Sequence, residues 1–512
     1  MISEWIRELD EAGVVRLAEA LALKIRAGDV IALSGDLGAG KTTLARALIQ
    51  AVLGDPAAEV PSPTFSLLQA YEAPRLTLTH FDFYRLASVD EAREIGFEEA
   101  IEKGAAIVEW PERAPALLPA SRFEIALAET VGAAVRRVTF RGIGEAAAHV
   151  RRIGEVLAFL DASARFRGAR ISHLQGDAST RAYARLTCDE GTALLMDAPR
   201  QPDGPPIRDG KPYSEIAHLA EDVRPFSAIA GALRAAGLSV PDIYAEDLGR
   251  GLLLIEDLGD RVFGSEVARE PGRQAELWRA AVDVLVALRC TPVPEQLPLG
   301  DGSVYCMPSY DRGALQIETE LLLDWYWPAL HGAAVPADVR AEFLMLWRAV
   351  FDRLAQQPPG WVLRDFHSPN LIWLPERAGI RRVGVVDFQD AQRGSAAYDL
   401  VSLLQDARLD IPATLEAELL AHYGREVARR EPGFDAAAFS YAYAALGAQR
   451  NTKILGIFVR LARRDGKAQY LAHLPRIWGY LTRDLSHAAL AELSVWYDHH
   501  FPRPARTARL RG

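Results

Sequence analysis

Apolar side chains at Val14, Leu17, Ala18, Leu21 and Ile25 follow the three-to-four spacing of one helical face, so residues 11–27 predict an amphipathic helix. The apolar run 30–33 predicts a short buried strand, followed by a glycine-rich turn and a second helix over 42–53. Runs 76–81 and 105–108 read as buried strands that each end in an acid, with a helix over 88–103 between them. Two last strands, 123–128 and 135–140, close an α/β unit of ordinary domain size. Residues 146–169 are Ala- and Arg-rich with a helical pattern and predict a helical linker. A second pattern then begins: strand-like runs at 181–186, 193–196 and 252–255 surround a helix at 224–236. Beyond residue 272 the chain is mainly helical, broken by a β patch at 362–386. The fold class expected is an α/β P-loop NTPase domain followed by a two-lobed α+β protein-kinase-like domain, divided as 1–145, linker 146–169, 170–502 and an Arg-rich tail 503–512.

Composition narrows the function. In 512 residues, 49% hydrophobic and 25% charged is globular composition and excludes wholesale disorder. The net charge is −10, and residues 1–150 carry 15 basic and 22 acidic side chains, which argues against direct nucleic-acid binding. Arg503, Arg506, Arg509 and Arg511 read as a solvated tail. Three scattered cysteines, Cys188, Cys290 and Cys306, suit a reducing compartment rather than a disulfide scaffold. The acidic start and the lack of a long uncharged run point to a cytoplasmic protein with no membrane partner.

The first chemical motif is Gly35-Asp-Leu-Gly-Ala-Gly-Lys-Thr42, a phosphate-binding loop between strand and helix. Gly35, Gly38 and Gly40 let backbone N–H groups turn toward phosphate oxygens, Lys41 reaches the β/γ-phosphates, and the Thr42 hydroxyl suits Mg²⁺. Asp82 and Glu109, at strand ends, are both candidates for the carboxylate on the metal side. Ser62-Pro-Thr64 reads as a phosphate sensor or as a turn.

The second motif is Trp361-Val-Leu-Arg-Asp-Phe-His-Ser-Pro-Asn-Leu-Ile372 followed by Val385-Val-Asp-Phe-Gln-Asp390. Asp365, Asn370 and Asp387 have the types and order of a kinase catalytic loop and its metal-binding Asp: a carboxylate near the acceptor hydroxyl and two oxygen ligands for Mg²⁺. His367 reads as a substrate contact or a structural loop histidine. Arg450 and Lys453 read as a solvated helix face or a site for an anionic substituent, and Trp325 and Trp327 as core or sugar platform.

Four ordered motifs in residues 1–145 resemble the TsaE family: the loop through Thr43, Val60-Pro-Ser-Pro-Thr-Phe65, His80-Phe-Asp-Phe-Tyr-Arg-Leu86 and Val108-Glu-Trp-Pro-Glu112. The resemblance implies an ATPase that serves the bacterial complex making threonylcarbamoyladenosine in tRNA. By it Lys41, Thr42 and Thr43 lie on ATP and Mg²⁺, Glu109 is the metal-side carboxylate, Asp82 stands near the attacking water and Trp110 beside the nucleotide. The partner implied is the set of threonylcarbamoyl transferase subunits.

Residues 170–500 resemble the aminoglycoside-phosphotransferase-like kinases. Gly176-Asp-Ala-Ser-Thr-Arg-Ala-Tyr183, Leu195-Met-Asp-Ala-Pro199, Leu254-Ile-Glu-Asp-Leu-Gly-Asp260, Tyr398-Asp-Leu-Val401 and Gln449-Arg-Asn-Thr-Lys-Ile-Leu-Gly456 resemble the AmgK subgroup, anomeric kinases of N-acetylmuramate and N-acetylglucosamine in cell-wall recycling. That implies Asp365 as base, Asn370 and Asp387 on Mg²⁺, and Ser179, Thr180 and Arg181 over the ATP phosphates. It also implies a hinge from Glu256 to Leu258 against adenine, and a small amino-sugar substrate. Two positions depart from the kinase pattern: Met196-Asp197 where a phosphate-binding Lys often stands, with Arg181 as a substitute cation, and Leu363 where the loop usually has His. A different acceptor, such as an aminoglycoside, and a non-catalytic nucleotide-binding module are the competing readings.

Overall fold

The computed structural model describes residues 1–86, 88–130, 134–174, 181–506 and 510. The chain packs as two units, one comprising 1–199 with 243–257 and the other 200–242 with 258–512.

In the first unit, β1 (Ile2–Asp10), α1 (Glu11–Ala22), β2 (Val30–Ser34), α2 (Lys41–Leu53), β3 (Leu68–Glu72), β4 (Thr77–Asp82), β5 (Ala105–Glu109), β6 (Arg122–Glu129) and β7 (Val135–Ile143) build a seven-stranded sheet in the order β1-β7-β6-β2-β5-β4-β3. The centre is parallel, β6-β2-β5-β4, and its strands β2 and β5 are almost wholly buried, which is why they read as continuous apolar runs. The edges β1 and β3 are antiparallel additions. The helix expected over 88–103 is two short helices, Val89–Glu94 and Phe97–Lys103, because Gly96 between them adopts φ 82°, a left-handed conformation that ends the first and caps the second.

The segment expected as a helical linker, 146–169, is helical over Ala146–Ala162 and is packed into a core. The helix α3 (Ala146–Ala162) buries Val150, Ile153, Val156, Leu157 and Leu160 in the core that also holds Leu17 and Leu21 of α1. That core continues into a second, five-stranded antiparallel sheet made of β8 (Arg170–Leu174), β9 (Ala182–Cys188), β10 (Gly191–Asp197), β11 (Ile243–Asp247) and β12 (Leu252–Glu256), ordered β11-β12-β10-β9-β8. The boundary expected at residue 170 therefore runs through one continuous apolar core.

The second unit is mainly helical. α4 (Arg224–Ala235), α5 (Gln274–Arg289), α6 (Arg312–Leu321), α7 (Ala397–Leu404), α8 (Ala436–Asp465) and α9 (Leu474–Asp484) surround two small ribbons. One pairs β13 (Gly360–Val362) with β16 (Gln392–Gly394), the other β14 (Leu371–Trp373) with β15 (Val383–Val385). The 30-residue α8 is notched by two glycines. A Cβ at Gly447 would lie 2.6 Å from the Asp484 carboxylate, and one at Gly456 would lie 2.3 Å from the Leu321 backbone. The Arg-rich tail is not wholly solvated: Arg506 is buried over Trp478, donating to the Phe501 carbonyl at 2.7 Å and pairing with Asp498. Among the described residues no helix is long and apolar enough to cross a membrane.

Candidate functional site

The phosphate loop leaves β2 at Ser34 and enters α2 at Lys41. Gly35, Gly38 and Gly40 take φ of 140°, 83° and 104°, and a Cβ on Gly35 would sit 2.3 Å from the Leu127 carbonyl, so the loop requires glycine there. Gly40 caps α2 without a side chain, which leaves the helix's first amides clear for an anion. Lys41 is buried and its ammonium is parked on the loop, donating to the carbonyls of Gly35 at 2.7 Å and Asp36 at 2.9 Å. It also lies 3.8 Å from the centre of the Trp110 ring. Burial lowers the Lys41 ammonium from its ordinary pKa, opposed by Glu109, Glu112, Asp82 and Asp36.

The parallel pairing of β4 and β5 sets Asp82 directly opposite Glu109. Both carboxylates are buried. The Thr42 hydroxyl donates to Glu109 Oε2 at 3.1 Å, and Thr64 donates to Asp82 Oδ2 at 3.1 Å while bonding Ser62 at 2.7 Å. The structure thus brings Lys41, Thr42, Glu109, Asp82 and Trp110 together, and ties the Ser62-Pro-Thr64 loop to them. The reading of single residues missed one member, His80, fully buried with Nε2 3.0 Å from Glu109 Oε1. Its signal was present: His80 stands two residues before Asp82 on a strand and so shares its face.

In the second unit the catalytic loop follows β13. Asp365 and His367 lie 3.8 Å apart, Oδ1 to Nε2. Asn370 Nδ2 donates to the Asp365 carbonyl at 3.0 Å and lies 3.5 Å from Asp387 Oδ2, and Gln389 donates to Asp387 Oδ1 at 2.8 Å. Arg364 and Asp387 have φ of 71° and 58°, left-handed conformations that a side chain adopts at a cost of about 1–3 kcal/mol and that concentrate at functional sites. Burial would raise the Asp365 carboxyl, but the His367 imidazole and the charges of Lys453 and Arg364 outweigh it and hold the group well below the usual carboxylate range.

Two buried acids carry this loop. Asp399 accepts the backbone N–H groups of Leu363 at 2.6 Å and Arg364 at 3.0 Å. Glu318, fully buried, receives Arg364, Tyr310, Lys453 at 2.8 Å and Gln449 at 3.0 Å. Lys453 is therefore not a solvated helix residue, and neither is Arg450, whose guanidinium is buried and donates to the Gln405 carbonyl at 3.3 Å. Trp327 is core. Burial, reinforced by the Asp365 charge, pushes the Asp399 carboxyl up to about 7 against the pull of its two N–H donors. A folded-state value above the unfolded one stabilises the protonated form, and that contribution is lost as pH rises between about 4 and 7. The Asp399→Asn variant is accordingly expected to gain urea resistance relative to the wild type as pH goes from 4 to 8; a constant difference between the two would contradict the assignment.

Of the remaining expected residues, Arg181 immediately precedes β9, Glu256 closes β12, and Leu258 packs with Ile372 and Leu374. Ser179 and Thr180 lie outside the described residues.

Against known protein families, residues 9–138 match the threonylcarbamoyl adenosine biosynthesis protein TsaE. Residues 170–438, more than half of the chain, match the phosphotransferase enzyme family (APH). The chain belongs to both families. Its phosphotransferase part is 40% identical over 359 residues to an N-acetylmuramate/N-acetylglucosamine kinase of Caulobacter vibrioides, covering 68% of this chain and 96% of that one. Its TsaE domain is 42% identical over 112 residues to the tRNA threonylcarbamoyladenosine biosynthesis protein TsaE of Rickettsia conorii, covering 22% of this chain and 63% of the relative. It is 40% identical over 110 residues to that of Rickettsia bellii, covering 76% of it. The TsaE domain thus carries the Lys41–Glu109–Asp82 cluster, and the phosphotransferase the Asp365–Asn370–Asp387 set.

Proposed function

We propose that the chain is a cytoplasmic bifunctional enzyme. Its TsaE domain hydrolyses ATP in support of tRNA threonylcarbamoyladenosine synthesis, docking on the transferase subunits of that machinery. Its phosphotransferase moves the ATP γ-phosphoryl to the anomeric hydroxyl of N-acetylmuramate or N-acetylglucosamine. The observation that carries the kinase reading is the convergence of Asp365, Asn370 and Asp387 on one loop pair, together with the likeness to the Caulobacter vibrioides kinase.

The roles follow from the chemistry of the groups. Asp365, ionised through the neutral range, accepts the proton of the sugar hydroxyl as its oxygen attacks phosphorus. Asn370, its Nδ2 held by the Asp365 carbonyl, has Oδ1 left for a cation, and Asp387 adds a carboxylate. These are hard oxygen donors of the kind Mg²⁺ takes, and so are Thr42 and Glu109 in the TsaE domain. When bound, Mg²⁺ neutralises charge on the phosphates at either site. In the TsaE domain the loop amides and Lys41 grip the phosphates, and Asp82, paired to Thr64, orients the attacking water.

The direct test is incubation of the purified chain with Mg-ATP and a panel of amino sugars and aminoglycosides, scoring acid-labile sugar 1-phosphate. No phosphate transfer to any amino sugar would refute the assignment.

His80 fits the role of holding Glu109 toward Thr42. Its Nδ1 is buried with no hydrogen-bond partner among the described residues, so the proton belongs on Nε2, where it is donated to Glu109. His80→Leu is expected to raise the Mg²⁺ concentration for half-maximal ATP hydrolysis by about 10- to 100-fold. His80→Gln, which keeps a donor, should recover part of that loss. Equal Mg²⁺ requirements in all three proteins would remove the role.

A further inference from the structure

The five-stranded sheet of the phosphotransferase does not close its own core. Side chains alternate along β8, β9, β10 and β12, and one face carries Ile171, Ala184, Leu186, Ala193, Leu195, Leu252 and Leu254. All of these are buried in one cluster with Leu17 and Leu21 of α1, inside the TsaE match, and with Val150, Ile153 and Leu157 of α3, the helix that follows that match and packs on β1 and β7. Asp197 ends β10 on this same face and is 5% exposed. Its carboxylate receives Lys24 Nζ at 2.5 Å, from the turn after α1, and Arg152 from α3 at 2.6 and 2.9 Å. A second polar contact reinforces the seam: Glu19 of α1, also buried, accepts the Ile171 N–H at 2.8 Å and pairs with Arg170.

A buried carboxylate held by two cations from elsewhere in the chain fixes a position far more strongly than an exposed pair does, because loss of either cation leaves charge uncompensated in the interior. Here the position fixed is the end of β10, where many kinases place their phosphate-binding Lys. With Asp197 drawn toward α1 and α3, alternation turns Met196 to the sheet's other face. We propose that the TsaE domain, together with the helix α3 that follows it, is a built-in structural subunit of the phosphotransferase, and that Lys24 and Arg152 are positioning residues for its use of ATP, acting through Asp197. This rests on the kinase reading above.

The test uses the full chain carrying Lys24→Met, Arg152→Met and both, with Lys24→Arg as the conservative control. The double variant is expected to raise the KM for Mg-ATP in sugar phosphorylation about tenfold. The KM for sugar and the ATP hydrolysis of the TsaE domain should stay within twofold of wild type, and Lys24→Arg should behave as wild type. Amide hydrogen exchange in β9 and β10 should quicken in the double variant while that of α8 does not. An unchanged KM for Mg-ATP with unchanged exchange would overturn the proposal, as would a parallel fall of both activities, which marks general loss of fold. If the wild-type chain phosphorylates no sugar, the kinase reading fails separately, and the exchange comparison still decides whether the clamp holds β10.

Discussion

Lys41→Ala is expected to lower ATP hydrolysis by the TsaE domain by at least about 100- to 1000-fold while leaving sugar phosphorylation intact. The buried Lys41 ammonium is held on the Gly35 and Asp36 carbonyls and the face of Trp110. These are weak partners for a desolvated cation, so an arriving phosphate gives it a better one. Burial lowers its pKa, and the nearby acids Glu109, Glu112, Asp82 and Asp36 oppose that effect. Removing it takes from the loop a full positive charge that its amide donors do not replace. Release of inorganic phosphate in the presence of the transferase subunits, read beside sugar 1-phosphate formation by the same protein, separates the two activities. Loss of both in a Lys41→Ala protein that keeps the wild-type urea midpoint would mean a shared nucleotide site and contradict the two-site description.

The companion expectation is that Asp365→Asn lowers kcat for sugar phosphorylation by about 100- to 10,000-fold with little change in the KM for Mg-ATP. The substitution keeps size and shape but removes the proton acceptor. Because His367, Lys453 and Arg364 hold the Asp365 carboxyl low, the wild-type base is ionised across the neutral range. An acid limb in the wild-type rate profile near neutrality must then come from some other group. Retention of sugar phosphorylation in Asp365→Asn would remove Asp365 from the mechanism.

Much of the TsaE domain was legible because its parallel strands are buried on both faces and its loop needs glycine. Residues 30–33 and 105–108 read as strands without help from context, and Gly35 to Thr42 left few alternatives. β1 was not legible: Ile2 to Asp10 mixes apolar and charged residues without a clean alternation on an exposed edge, and its antiparallel pairing with β7 is a long-range fact. Arg450 and Lys453 looked solvated because charge on a helix usually is. What reverses this is Glu318 for Lys453, more than a hundred residues earlier, and the Gln405 carbonyl for Arg450, and no local pattern announces such partners. Residues 146–169 likewise carried a helical pattern that does not reveal whether its apolar stripe faces water or a core. The catalytic acids were found from their order, while the devices that hold them, Asp399 under the loop and His80 beside Glu109, appear only once strands and helices are assembled.

The two notches in α8 decide how that helix can evolve. Gly447 accommodates Asp484 and Gly456 accommodates the Leu321 backbone, with Arg450 and Lys453 between them. A helix advances about 100° per residue, so one inserted or deleted residue between the glycines would swing one notch away from its neighbour by more than a quarter turn. The stretch from 447 to 456 should therefore accept no change of length, and the distance along the helix from Gly447 to Lys453 is in effect a fixed gauge. Point substitution can alter the charge presented beside Glu318; insertion or deletion cannot move it.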